Sequence, residues 1–208
     1  DEIKKIAKKH NLFVIEDSAD TVGYNFKGNN TGQLSDISTT SFYGSHIITC
    51  AGIGGMACTN SPELYEKMKI VRGWGRSSEL FSPDASLSIE DNLKDRFDIK
   101  INGMSYDKKF IFEKEGYNFF APEICAAFGL IQLKRFNEFF SKRVSNFNYL
   151  KSNITSKLSK YIINPEETKG VKTNWLAYPI ILRESEKNLR TNLQIFLERK
   201  NIQTRTIF

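Results

Sequence analysis

The sequence predicts an α/β fold, with part of a large sheet domain followed by part of a smaller α+β domain. Three observations predict it. Ile3, Ile6 and Ala7 recur at helical spacing and lead straight into the unbroken apolar run Leu12-Phe13-Val14-Ile15, which reads as a strand covered on both faces of a sheet. Two more strand-like runs and a capped helix follow it. A strand–helix–strand pattern then closes the chain beyond a long helical stretch.

Each element has a local reason. Asp1 to His10 is amphipathic and reads as a helix. The strand after it ends in Glu16-Asp17-Ser18-Ala19-Asp20, polar groups delivered to the edge where open α/β sheets bind ligands. Further strands are predicted over Ile37 to Phe42 and Gly55 to Thr59. Ser61-Pro62-Glu63 opens a helix as N-cap, first helical residue and acidic first turn. Its apolar members Leu64, Met68 and Val71 end near Gly73. The segment from Arg76 to Gly116 is polar and carries turn signals at Ser82-Pro83-Asp84 and Asn102-Gly103. It reads as an excursion with a short hairpin around Phe110 to Phe112. Pro122 starts a helix predicted to reach Asn153, with Leu133, Phe136, Phe140, Val144, Phe147 and Leu150 down one face. At 1.5 Å per residue that is a rod of roughly 45 Å, long enough to bridge two domains. Trp175 to Leu182 reads as a strand, Ser185 to Lys200 as a helix and Ile202 to Thr206 as the start of a strand. The expected division is a large domain over 1–121, a connecting helix over 122–153, and a small domain from 154 to 208.

Composition excludes several classes. Apolar residues make up 40% and charged residues 26% of the 208, an ordinary globular balance. No apolar run approaches the roughly 18–20 residues that a bilayer span needs, so no membrane association is expected. The net charge is +6, but the Lys and Arg residues are spread among Asp and Glu, so no nucleic-acid stripe is expected. Cys50, Cys58 and Cys125 are odd in number and lack metal-site spacing. They point to a reducing, cytoplasmic setting and to no structural metal. The chain opens mid-pattern without Met, so it is expected to be cut from something longer.

The chemistry concentrates between Val14 and Thr59. Val14-Ile15-Glu16-Asp17-Ser18-Ala19-Asp20 is followed by Ser38-Thr39-Thr40-Ser41-Phe42-Tyr43-Gly44-Ser45-His46, then by Ile47-Ile48-Thr49-Cys50-Ala51-Gly52-Ile53-Gly54-Gly55-Met56. This order resembles the DegT/DnrJ/EryC1/StrS sugar aminotransferases, which carry an "IED" strand end, an "SF" strand end, a catalytic Lys five residues past the Ser, and a Gly-rich turn. Here that fifth residue is His46. The departure is similar to the family's NDP-4-keto-6-deoxyhexose 3-dehydratase branch, with its "SFYxxH" motif. Arg72-Gly73-Trp74-Gly75-Arg76, Tyr106-Asp107-Lys108-Lys109-Phe110, Gly116-Tyr117-Asn118 and Ala126-Ala127-Phe128-Gly129-Leu130-Ile131-Gln132-Leu133 resemble further motifs of the same branch.

The resemblance implies a fold-type I architecture, pyridoxal or pyridoxamine 5′-phosphate held non-covalently, a nucleotide-sugar substrate, glutamate as amino donor, and a homodimer. It implies Asp17 as the partner of the pyridine nitrogen, Ser41 as a phosphate ligand, and Asn118 as a phosphate ligand reaching in from a neighbouring subunit. Asp20 joins Asp17 among the cofactor-binding residues, and His46 is the catalytic one. Imidazole cannot form the stable covalent link that lysine makes with pyridoxal, yet it moves protons near neutral pH, its ordinary pKa being about 6.5. The implied reaction is loss of the sugar's C3 hydroxyl with His46 as proton shuttle. The alternatives are an aminotransferase of the same family and an inactive homologue that binds cofactor or nucleotide sugar. The branch's iron–sulfur subgroup carries cysteines just after "WGR", where this chain has Ser77-Ser78-Glu79-Leu80-Phe81, so no cluster is expected. Ile53 stands where a Glu is common in the family. Cys50 and Cys58 are expected to be buried small apolar residues. Family members are roughly twice this length, so the isolated piece is expected to be inactive.

Overall fold

The computed structural model describes residues 2–80, 86, 88–183 and 188–207. The elements begin with α1 (Glu2–Lys9), β1 (Ile15–Asp17), β2 (Asn25–Phe26), β3 (Asn29–Asn30), β4 (Ile37–Ser41), β5 (Gly55–Cys58) and α2 (Pro62–Arg72). They continue with α3 (Ile89–Phe97), β6 (Lys100–Ile101), β7 (Met104–Ser105), α4 (Glu123–Lys134) and α5 (Phe136–Leu158). Last come β8 (Ile162–Ile163), β9 (Val171–Lys172), β10 (Ile181–Leu182) and α6 (Leu189–Glu198). The chain divides into two compact units, 1–22 with 29–134 and 23–28 with 135–208.

In the first unit β4 is the central strand of a sheet ordered β1-β4-β5. It runs parallel to β1, with Asp17 opposite Thr39, and antiparallel to β5, with Ser41 opposite Gly55. The sheet is therefore mixed. The first strand starts later than its apolar run suggests, because the Asp36 carboxylate takes the Val14 N–H at 2.7 Å and the ladder opens only at Ile15. Leu12 and Phe13 are 61% and 77% exposed, against the expectation of cover on both faces. Within this sheet β1 is an edge strand with β4 as its one neighbour. The buried apolar side chains here are Ala7, Ile47, Ile48, Ile70 and Cys125.

The predicted cap of α2 is present: the Ser61 hydroxyl accepts the Leu64 N–H at 3.4 Å, and Pro62 is the first helical residue. After Gly73 the chain turns through Trp74 (φ 61°) and Gly75 (φ 79°). A Cβ on Gly75 would lie 1.7 Å from the Lys114 carbonyl oxygen, so only glycine permits this crossing. The Glu113 N–H donates to Gly75 O at 2.8 Å and the Trp74 N–H to Tyr117 O at 3.0 Å. The end of the excursion is thereby laced to the end of α2, and Asn118 bridges Gly73.

The excursion holds more structure than its composition suggests. Ser88 caps α3 by accepting the Asp91 N–H at 3.1 Å. The hairpin is β6–β7, not Phe110 to Phe112, because Asn102 (φ 52°) and Gly103 (φ 80°) make the two-residue left-handed turn that a tight hairpin needs. Lys108–Phe110 is a single 3₁₀ turn instead. The Ser82-Pro83-Asp84 turn lies outside the described residues. Ion pairs tie α3 to that 3₁₀ turn. Lys108 Nζ lies 2.9 Å from both Asp95 and Asp98, and Arg96 grips both oxygens of Asp107.

The Arg96 guanidinium holds the Asp107 carboxyl down to about 2, from an ordinary 3.8. A carboxyl depressed by folding adds stability above its unfolded pKa and loses it as pH falls through its folded one. Wild type is therefore expected to exceed Asp107→Asn in stability above pH 4, with the gap closing as pH falls to about 2. Urea midpoints of the two proteins across that range test it, and a gap independent of pH would contradict the pairing.

The long predicted helix is two helices. At Arg135 the backbone leaves helical geometry (φ −91°, ψ 2°). The side chain folds back onto α5, 3.2 and 3.3 Å from the Glu138 oxygens and over the Phe139 ring. In the second unit, β8 pairs with β10 and β2 pairs with β9, both antiparallel. Phe147, 5% exposed, stacks on Trp175 with ring centroids 3.7 Å apart. Trp175 takes φ 51°, a conformation no strand adopts, and the strand expected over Trp175 to Leu182 is limited to β10. Arg143 secures the turn by donating to Leu176 O at 3.2 Å. Helix α6 occupies the centre of the predicted Ser185 to Lys200 span, whose first residues lie outside the described ones. Ile202 to Thr206 forms no strand.

Candidate active site

Parallel pairing brings the carboxyl ends of β1 and β4 to one edge of the sheet. Asp17 and Thr39 are register partners, and the Thr39 hydroxyl donates to Asp17 Oδ1 at 3.5 Å. The two side chains therefore share a face. Ser41, two residues beyond Thr39, lies on that same face by the period of the strand. From strand rise and spacing, the Cα atoms of Asp17 and Ser41 stand about 8 Å apart. Asp17 also accepts the Ala19 N–H at 3.1 Å, which turns the chain towards Asp20. The Ser41 hydroxyl accepts the Tyr43 N–H at 3.2 Å, an arrangement that leaves its O–H available to donate.

His46 sits on the loop between β4 and β5, a loop closed by its own backbone. The Phe42 N–H donates to Gly54 O at 2.9 Å, the Gly44 N–H to Gly52 O at 3.2 Å and the Cys50 N–H to Phe42 O at 3.1 Å. Thr49 braces the loop, donating to Phe42 O and accepting from the Gly52 N–H. The next residues, Ile47 and Ile48, are 4% and 5% exposed and anchor it in the core. The imidazole Nε2 lies 3.2 Å from Asp20 Oδ1. Its Nδ1 is buried and has no hydrogen-bond partner among the described residues. No Lys or Arg occurs between Lys27 and Lys67, so this loop offers no primary amine.

Four of the five site residues predicted from sequence thus fall on two strand ends (Asp17, Ser41), the turn after β1 (Asp20) and one braced loop (His46), and Asp20 and His46 lie 3.2 Å apart. Asn118 pairs with Gly73 across an isolated bridge. Thr39, which orients Asp17, was missed; register with β1 is its only signal. Glu16 points the other way, where its carboxylate accepts from the Ser18 hydroxyl and the Gly32 N–H. Cys50 packs against Gly129, and burial, together with nearby Cys125, pushes its thiol pKa up. Contrary to the expectation that both are buried, Cys50 is half-buried and Cys58 is exposed with the rest of β5.

The model of one family, described as the DegT/DnrJ/EryC1/StrS aminotransferases, matches residues 1–208. The chain belongs to the DegT/DnrJ/EryC1/StrS aminotransferase family. Among curated relatives, the lipopolysaccharide biosynthesis protein RfbH of Salmonella typhimurium is 35% identical over all of this chain and 46% of its own length. The dTDP-4-dehydro-2,6-dideoxy-D-glucose 3-dehydratase of Saccharopolyspora spinosa is 33% identical over all of this chain and 44% of its own. The GDP-perosamine synthase of Escherichia coli O157:H7 is 31% identical, again over all of this chain and 48% of its own. The solved E. coli GDP-4-keto-6-deoxy-D-mannose-3-dehydratase with bound hydrated PLP superposes with a TM-score of 0.76 at 23% identity. That match covers 98% of this chain and 48% of the solved one, and it shows the shared fold. The α/β architecture expected for the family is therefore present, and the chain spans about half the length of these relatives.

The residues present fit a pyridoxal-type cofactor. A carboxylate and a hydroxyl share one face, at a spacing that leaves room for a ring with a short phosphate arm. The loop that follows Ser41 carries an imidazole 3.2 Å from Asp20 whose buried Nδ1 has no partner among the described residues. Buried polar atoms are nearly always satisfied, so such an atom calls for a partner, of which a bound group is one.

Proposed function

We propose that this chain carries the cofactor-binding half of a 3-dehydratase acting on a nucleotide-linked 4-keto-6-deoxyhexose in deoxysugar biosynthesis. Bound pyridoxamine 5′-phosphate would supply the electron sink that lets an unactivated hydroxyl leave C3 of the sugar. Asp17, at the end of β1, holds a proton on the ring nitrogen. Ser41 donates its O–H to the phosphate, and Asn118 reaches a phosphate from a second subunit. Asp20 completes the polar edge beside His46. His46 takes a proton from the cofactor's C4′ carbon and hands it to the departing C3 oxygen.

A single observation carries this reading: the residue five beyond Ser41 is an imidazole, on a loop without lysine. The 3-dehydratase name of the S. spinosa relative supports it. Transamination is the second reading, favoured by the perosamine synthase relative at 31% identity. The test gives the full-length protein pyridoxal phosphate, glutamate and a nucleotide-linked 4-keto-6-deoxyhexose. Dehydration yields a 3-deoxy sugar with ammonia released, and cofactor that leaves on dialysis. An amino sugar formed with no ammonia would overturn the proposal in favour of transamination. A protein that binds cofactor but leaves both sugar and glutamate unchanged would be a binding homologue.

A further inference from the structure

The backbone that holds Asn118 also holds two arginines whose donors are unused. Asn118 pairs with Gly73, and its neighbours fix that pairing. The Trp74 N–H donates to Tyr117 O at 3.0 Å and the Phe119 N–H to Arg72 O at 3.1 Å. Arg72 and Arg76 both lean on one carboxylate, Glu79, at 4.0 and 3.6 Å. Those distances are beyond hydrogen-bond reach, and among the described residues neither guanidinium makes a hydrogen bond. Glu79 is kept in place by packing on Gly73, where a Cβ would stand 2.3 Å from its Cγ. Each guanidinium rests over a ring, Arg76 over Trp74 at 4.4 Å and Arg72 over Phe120 at 4.7 Å. The two rings are themselves 5.3 Å apart. Two cations thus sit on adjoining rings around a single carboxylate, with one positive charge in excess. Both reach solvent, Arg72 at 46% exposure and Arg76 at 21%.

We propose that Arg72 and Arg76 bind the diphosphate of the nucleotide-linked sugar, in the site of the neighbouring subunit that Asn118 enters. The assignment rests on the reading of a nucleotide-sugar substrate and of Asn118 as a residue acting across subunits. A diphosphate offers several charged oxygens to two guanidinium forks, and arginine is suited to such planar, paired recognition. The loose pairs with Glu79, worth little where they are open to solvent, give way to charge-assisted hydrogen bonds. Glu79 offsets part of the repulsion between the two cations while no substrate is bound, and it opposes the arriving diphosphate by its own charge. Ser41 and Asn118 serve the cofactor phosphate in the same reading, which leaves the arginines to the substrate.

Titration calorimetry of the full-length, cofactor-loaded protein with GDP and with dTDP tests this. Arg72→Gln and Arg76→Gln should each weaken binding of whichever nucleotide the wild type takes by roughly 10–10²-fold, the loss expected for charged hydrogen bonds. Affinity for pyridoxal phosphate should stay at the wild-type value. Glu79→Gln should tighten nucleotide binding several-fold, because it removes the one negative charge facing the diphosphate. Arginines that only brace Glu79 would show no such gain, so unchanged or weaker binding in that variant would overturn the assignment. A fall in pyridoxal phosphate affinity with nucleotide binding unchanged would give the arginines to the cofactor and overturn it too. Wild-type protein that binds neither nucleotide would defeat the nucleotide-sugar reading itself, and the assignment with it. The crossing between subunits has its own measurement. Hybrid dimers formed from Asp17→Asn and Arg76→Gln chains should regain turnover at limiting substrate that both parents lack, because one site of each hybrid then combines an intact Asp17 with an intact Arg76. No gain on mixing would place Arg76 in its own chain's site, against the proposal.

Discussion

Replacing His46 by lysine is expected to give the full-length protein a persistent visible absorption band with pyridoxal phosphate, and to lower dehydration by roughly 10²–10⁴-fold. The position lies on a loop whose backbone is closed by Phe42, Gly44, Cys50 and Thr49 and anchored by Ile47 and Ile48, so the new side chain would be presented from the same place. Lysine there can capture the aldehyde covalently, which imidazole cannot. The captured amine is no longer free to carry a proton. An uncaptured one, near its reference pKa of about 10.4, is held protonated and is a poor base at neutral pH. It also lacks the second nitrogen that Asp20 now engages. A variant that stays colourless with pyridoxal phosphate, or that dehydrates at the wild-type rate, would remove His46 from the catalytic position.

The next largest effect is expected from Asp17→Asn. Loss of one preorganised electrostatic partner typically lowers kcat by about 10²–10³-fold, and the amide cannot keep a proton on the pyridine nitrogen. The fold should survive. Asp17 uses its side chain only to accept, from the Ala19 N–H at 3.1 Å and the Thr39 hydroxyl at 3.5 Å, and an amide oxygen can accept both. The register of β1 against β4 is backbone pairing and does not depend on the charge. Circular dichroism and urea unfolding should therefore match wild type while turnover collapses. Turnover near wild type in a folded variant would exclude Asp17 from the mechanism.

Much of this candidate site is legible in the sequence because its parts are local. The polar end of β1, the Ser41 end of β4 and the imidazole five residues further on follow one another along a short stretch. Their order carries the family resemblance. The serine cap and proline start of α2 were equally local. Where the reading went astray, a contact from elsewhere had overridden local preference. A face of apolar residues runs on past Arg135, so the pattern carries no sign of the break there. Helix α3 is too polar to announce itself; it is held by Ser88 at its start and by Arg96, Asp95 and Asp98 reaching the turn at Asp107 and Lys108. Trp175 belongs to a strand-like run, but its ring packs flat on Phe147 and its backbone is at φ 51°, outside the strand region.

What the sequence determined by itself, then, was the family, the α/β class, and the residue types at the strand ends and in the loop beyond them. These depend on composition and short spacing, which a chain carries whether folded or not. Only the tertiary structure decided which of those residues meet. Asp17 shares a face with Ser41 because β1 and β4 pair in parallel with Asp17 opposite Thr39, and a slip of one residue would have sent one of them to the other face. Asp20 reaches His46 because the turn after β1 and the loop after β4 leave the sheet at the same edge, bringing a carboxylate within 3.2 Å of Nε2. Strand register and loop closure are settled by pairing and burial across long stretches of chain, and neither is written into the spacing of the residues they bring together.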